Sequence, residues 1–398
     1  AFAGRSSGEI RRSFFASQKT IVFSWTLPLS HVIIFRLIIF CSEVYMNTKT
    51  KTLYFSYLTL LSCFLITIGH CNAFFWTRPT GIRWVYSLLI ESICNFPIGM
   101  FFMISGATLM DYRKRYSTLE FFKKRFIRTG IPFIFWYLFG TFWPYLSIDT
   151  SGAFPKITAQ LPCSFIQAMY GMADDRFSRI YWFFLALFSC YLLIPIFSRF
   201  KRRDLVFNSV IAVLFVLHSI IPLVCMLTGI PNNITPHFFF QPEFFMYVLL
   251  GYQLANKDIS VKWRKIIYAG GFVGVFFHLF GTAYLSYGLP VVNAAFKGHI
   301  NVPPFLMAVA VFVRFKYTDF AALQEKYPLL RKFVYEFSGC TFGVYLIHNY
   351  FVIGIPELFG FDIGNFFWLI FGSLGIYFGC LYISRQCKRL PVLRYLIP

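Results

Sequence analysis

Apolar residues in this chain come in long, nearly unbroken runs rather than in the narrow stripes of a soluble fold. A helix crossing a hydrocarbon core about 30 Å thick needs ~20 mostly apolar residues. Runs of that order recur from Leu53 to Ser384 and predict about ten helices, over 53–75, 84–110, 127–147, 180–198, 205–228, 238–255, 264–286, 294–313, 334–356 and 363–384. The runs are too long for barrel strands, and only a helix satisfies its own backbone in lipid without closing a barrel. The expected fold class is all-α, a polytopic membrane bundle. Trp76, Trp84 and Trp143 stand near span ends, as an aromatic belt at the membrane–water boundary would require. The longest gap, Ser147 to Arg179, holds Pro155, Pro162, Asp174 and Asp175, and is expected to be an extracytoplasmic loop with a short helix.

The polar residues between the runs set an orientation. Lys and Arg crowd every second gap: 26 fall on one side and six on the other, the six being Arg78, Arg83, Lys156, Arg176, Arg179 and Lys297. Cytoplasmic loops carry the excess of Lys and Arg. Ten helices with both ends cytoplasmic keep this alternation intact, in the inner cell membrane. Residues 1–45 break the pattern, with an apolar run from Ile21 to Phe35 interrupted by Pro28. Met46 resembles a natural start, so 1–45 are expected to be an upstream extension and 46–398 the membrane domain.

Composition agrees. The chain has 398 residues, 58% hydrophobic and 13% charged, about half the charged share of a soluble domain. A net charge of +21 would otherwise suggest nucleic acid. Here the cations sit in short loops between apolar spans, so no nucleic-acid partner is expected. Ten cysteines are scattered with no C-x-x-C pair, which argues against a zinc site or a disulfide framework. No metal is expected. Asn233-Ile234-Thr235 is a sequon-like triplet, and no internal repeat is evident.

Ionisable residues inside a bilayer are costly and mark function. They are His70, Glu91, His218, Glu243, His278 and His348. His218 and His278 have no supporting pattern and read as structural. His70 closes the first span, in its outward half, where a neutral imidazole can take a proton from a hydroxyl. Glu91 also lies in the outward half, with Asn95 one turn on and on the same face; it is a candidate to orient His70 or to contact substrate. The basic loop from Asp111 to Arg128 offers Arg forks suited to phosphate. Ser105-Gly106, in the middle of the second span, permits a close helix approach or a bend. Ser105 lacks the G-x-S-x-G setting of a nucleophile.

Four stretches then point to one family. Phe101-Phe102-Met103-Ile104-Ser105-Gly106 resembles the "FFMISGY" signature of the acyltransferase-3 family of membrane O-acyltransferases. Lys123-Lys124-Arg125-Phe126-Ile127-Arg128 with Pro132 to Trp136 resembles its basic stretch and the helix next in sequence. Tyr181-Trp182-Phe183-Phe184 with Tyr191 and Pro195 resembles its "LWFF…Y…P" helix, and Phe342 to His348 its "FGIYLIH" segment. Weaker echoes are Tyr247 to Tyr252 and Asn301 to Phe312, and the order holds over about 53–384. The members most resembled are those that O-acetylate the enterobacterial common antigen and other surface polysaccharides.

The resemblance implies transfer of an acyl group, commonly acetyl, from acyl-CoA as donor substrate, with no bound cofactor, to a hydroxyl of a surface glycan or lipid-linked sugar. The family's proposed catalytic histidine matches His70, with Glu91 beside it. Lys124, Arg125 and Arg128 are expected to hold the donor. Asn95, Ser105, Trp182, Tyr345 and His348 are expected to line the substrate cavity, Trp182 by stacking on sugar, and Tyr345 or His348 by stabilising an oxyanion. Two departures stand out: Thr59 occupies the place of the family's first-helix arginine, and Asn95 stands roughly where relatives often have another. The alternative functions are an exporter or flippase of polysaccharide or lipid-linked sugar without acyl transfer, and a scaffold in a polysaccharide synthase. The expected partners are acyl-CoA, the glycan acceptor and membrane lipid.

Overall fold

The computed structural model describes residues 52–77, 79–143, 177–200, 203–233, 235 and 241–398, with the backbone of 146–149 and 156–159. The expected extension over 1–45, and most of the Ser147–Arg179 gap, lie outside the described residues. Thr52–Pro398 form one compact unit.

This unit is helical. We number its principal helices α1 (Thr52–Cys71), α2 (Gly81–Cys94), α3 (Pro97–Leu109), α4 (Thr118–Arg125), α5 (Ile131–Phe142), α6 (Trp182–Phe197), α7 (Arg203–Phe215), α8 (Phe245–Asn256), α9 (Val261–Phe276), α10 (Val302–Lys316), α11 (Pro328–Phe337), α12 (Thr341–Phe359) and α13 (Ser373–Cys387). Among the described residues, seven helical stretches are long and apolar enough to cross a membrane: Thr52–Cys71, Gly81–Lys114, Arg179–Phe197, Arg203–Thr228, Val261–Ser286, Pro328–Phe359 and Trp368–Cys387. The other three expected positions are also helical. They carry α5, α8 and α10, with 12, 12 and 15 residues. Large apolar side chains such as Phe272 and Leu358 point outward and stay exposed, as a lipid-facing surface requires.

Local sequence explains the irregularities. The expected 84–110 span is two helices, because Pro97 has no N–H to bond the Ile93 carbonyl. Two π-helical turns, Phe126–Gly130 and Val216–Ile220, end just before Pro132 and Pro222. A proline there removes one rung of the ladder, and the wider turn absorbs the slip. A small antiparallel hairpin pairs Leu146–Asp149 with Lys156–Ala159, so this part of the expected loop is extended backbone. Trp84 departs from the expected belt: it is buried, and its Nε1 donates to the Phe75 carbonyl at 3.1 Å.

α8 is buried on nearly every side, at the heart of the core. It lies against α3 backbone to backbone. A Cβ on Gly106 would collide with the Val248 carbonyl, and one on Gly251 with the backbone of Met103. Small residues make such contact possible without a hydrophobic drive between helices. Tyrosines tie α6 to α12 in both directions: Tyr181 donates to the Leu346 carbonyl at 2.7 Å, and Tyr345 to the Ile180 carbonyl at 2.5 Å. At the basic end, Arg203 bonds Asp111 at 2.5 Å, Tyr252 at 2.7 Å and the Ser198 carbonyl at 2.7 Å, while Arg113 bonds Ser198 at 2.8 Å. These arginines fasten helix ends together.

Candidate active site

Among the cavities formed by the described residues, two share part of their walls. The first, ≈ 210 Å³, is lined by the end of α1 (Gly69, His70), the end of α2 (Glu91, Cys94, Asn95), Trp76, Trp182 and the Lys297–His299 loop before α10. The second, ≈ 450 Å³, is lined by Thr59, Ser105, Arg115, Arg125, Arg128 and Tyr191 among others. Ile66, Ile98, Phe183 and Tyr345 belong to both walls. They form a septum one side chain thick.

His70 is exposed into the first cavity. Its ring centroid lies 5.1 Å from that of His348, tilted by 60°. His348 is fully buried and is absent from both cavity walls. Its Nδ1 faces the carbonyls of Val344 and Tyr345 at 3.0 and 2.9 Å. A carbonyl only accepts, so Nδ1 carries the proton and Nε2 keeps a lone pair, for which there is no protein partner. His348 therefore backs the His70 ring rather than lining the cavity. The Tyr345 hydroxyl is already spent on Ile180. Neither group supplies the expected oxyanion donor.

Glu91 does not orient His70 either. Its carboxylate is buried, accepts from Asn72 Nδ2 at 3.0 Å and pairs with Lys297 Nζ. Asn72 also donates to the Ser87 carbonyl at 2.9 Å. The Lys297 ammonium sits 4.9 Å from the Trp76 ring centroid and 5.0 Å from that of Phe75. This buried ion pair cancels charge within the cavity. Trp182 is stacked on His299, centroids 5.4 Å apart and 10° from parallel, with Phe244 at 5.6 Å. The stacked His299 occupies one face of the ring expected to receive sugar. Trp76 is 51% exposed and lines the same cavity, with Lys297 over one face of its ring.

The second cavity is basic. The Arg125 guanidinium lies 5.9 Å from the Tyr191 ring centroid, and its Nε is buried without a partner. Arg115 joins it, with one Nη donating to the Thr108 carbonyl at 2.6 Å. Lys124 does not line the cavity: its ammonium lies 3.3 Å from Glu120 and 4.2 Å over the ring of Tyr116, a wall residue. Ser105 lines this cavity but donates to its own helix at Phe101, 2.9 Å, and among the described residues no histidine lines the wall beside it. It has no base and cannot act as a nucleophile by a serine–histidine relay. Thr59 is on the same wall, its hydroxyl turned back to Phe55 and Ser56. His278 binds Ser92 at 2.9 Å and, like His218 and Glu243, lines neither cavity.

Of the expected site residues, His70, Glu91, Asn95 and Trp182 line the first cavity, Ser105, Arg125 and Arg128 the second, and Tyr345 both; Lys297, His299, Trp76 and Arg115, also on these walls, and Asn72, bonded to Glu91, were not among the expected residues. Lys297 carried a usable signal: it is one of only six cations on the sparse side and falls inside the expected 294–313 span. Chemically, the arrangement offers an exposed imidazole in a charge-balanced chamber, and guanidinium groups in the next.

No curated protein and no solved structure matches this chain. The family described as an acyltransferase domain, acyltransferase-3, matches residues 53–385, nearly all of the helical unit. The four motifs, the lipid-facing helical bundle and the imidazole at the end of α1 all fall within that match, and the chain belongs to the acyltransferase-3 family of membrane acyltransferases.

Proposed function

We propose that the protein transfers an acyl group, acetyl in the simplest case, from acyl-CoA in the cytoplasm to a hydroxyl of a surface glycan or lipid-linked sugar, in the inner cell membrane. The observation that carries this reading is the pair of abutting cavities. The basic chamber suits the phosphates of the donor, with Arg125, Arg128 and Arg115 at its wall. The His70 chamber suits a hydroxyl acceptor. Its volume is about that of one sugar ring, Trp76 offers an aromatic face, and its net charge is near zero.

In this mechanism the donor thioester reaches the septum of Ile66, Ile98, Phe183 and Tyr345 from the basic side. His70 removes the proton of the acceptor hydroxyl from the other. The hydroxyl oxygen attacks the thioester carbon, the carbon–sulfur bond breaks, and the thiolate takes the proton from His70. A positioned base of this kind contributes ~10²–10⁴ in rate. His348 holds the His70 ring in place.

The test is transfer of label from [¹⁴C]acetyl-CoA to membrane glycan by the full-length protein in vesicles. Label in the glycan, lost in His70→Ala, supports the reading. An exporter would instead move unlabelled glycan across the vesicle with no thioester consumed, and that result would replace it.

A further inference from the structure

The break between α2 and α3 has chemistry that the proposed proton transfers leave unused. α2 ends at Cys94 and α3 starts at Pro97, so the hydrogen-bond ladder is interrupted at Asn95 and Phe96, although both keep right-handed helical dihedrals. Asn95, Pro97 and Ile98 all line the His70 chamber. Among the described residues the Ile98 N–H, in the first turn of α3, has no backbone acceptor outside its own helix, and no side chain caps this helix.

Asn95 supplies a second, independent sign. It is 3% exposed, and neither its Oδ1 nor its Nδ2 has a hydrogen-bond partner. A buried amide without partners costs free energy, and folded proteins rarely leave one so. A carboxamide kept at that cost on a cavity wall fits a group whose partner arrives with the substrate. Its place is telling, because Ile98 belongs to both cavities. The break therefore sits at the septum, where an acyl carbonyl would pass from one chamber to the other. Tyr345 and His348 have already been claimed by Ile180, Val344 and Tyr345 carbonyls.

We propose that Asn95 Nδ2 and the Ile98 N–H form the oxyanion site of acyl transfer. The inference rests on the acyl-transfer reading. When the acceptor oxygen attacks, the carbonyl π electrons move onto the thioester oxygen, and that oxyanion accepts from both donors. As the carbonyl re-forms and the carbon–sulfur bond breaks, the negative charge leaves with the thiolate, which His70 protonates. The partial positive charge at the start of α3 favours the same oxyanion.

Two substitutions test this in full-length protein in lipid vesicles, with acetyl-CoA as donor and membrane glycan as acceptor. Asn95→Leu removes the donor from an apolar wall. It is expected to lower kcat ~10²-fold, leave the KM for acetyl-CoA unchanged, and hold or raise the melting temperature, because an unpaired polar group is lost. Asn95→Asp keeps the shape but sets a carboxylate against the oxyanion, and is expected to lower kcat at least as far. A kcat within about threefold of wild type in either variant, a loss confined to KM, or a lower melting temperature in Asn95→Leu overturns the proposal while wild type still transfers label. Wild type that transfers none, with His70→Ala no different, overturns the acyl-transfer reading itself and this inference with it.

Discussion

The two chambers differ in what their polar groups are bonded to. In the basic chamber Arg115, Arg125 and Arg128 keep much of their hydrogen-bonding capacity for something outside the protein, while neighbouring Arg113 and Arg203 are consumed in tying helix ends. In the His70 chamber the charges are consumed by each other, Lys297 by Glu91, and the neutral groups His70 and Asn95 are left open. One side is built to hold charge, the other to exclude it. That division suits a reaction joining a polyanionic donor to a neutral hydroxyl.

The contrast is open to attack, most forcefully at His70. His70→Ala is expected to lower turnover by ~10²–10⁴ with donor KM unchanged, read from steady-state thioester consumption. An equal loss in donor affinity would mean the chambers are not functionally separate. Next is the ion pair. Lys297→Met leaves Glu91 buried without its cation and is expected to cost about 3–5 kcal/mol of stability, measured by thermal or denaturant unfolding in detergent. The double variant Lys297→Met/Glu91→Leu should recover most of it, since a well-packed apolar pair replaces a buried ionic one at little cost. In the basic chamber, Arg125→Met or Arg128→Met should raise the KM for acyl-CoA ~10-fold, the scale of one charged hydrogen bond, with kcat nearly constant. The smallest effect belongs to Lys124→Met. An exposed partner of Glu120 is worth at most about 1 kcal/mol, so donor KM should stay within about twofold in the same assay.

How far the fold was legible depended on which force set each element. Long apolar runs respond to the bilayer alone, and each of the ten expected positions holds helix. Short α8 is sheltered by its neighbours rather than by lipid, so run length understated how central it is. The break at Pro97 was hidden because proline within an apolar run reads equally well as a kinked, continuous span. His70 was legible from its place at the end of a span. Pairing was not: that Glu91 would meet Lys297, 206 residues away in sequence, depends on a loop folding back over the bundle. The same holds for Trp182, whose motif marked it as important but could not reveal His299 lying on its face.

The glycine contact between α3 and α8 has a mechanical corollary. With Met103 and Val248 backbones in direct touch at Gly251 and Gly106, those two rods behave as one anvil with no slack for a side chain to slide through. Under the proposed acyl transfer, any widening of the His70 cavity therefore has to come from its other walls, such as the tip of α1 and the Lys297–His299 segment.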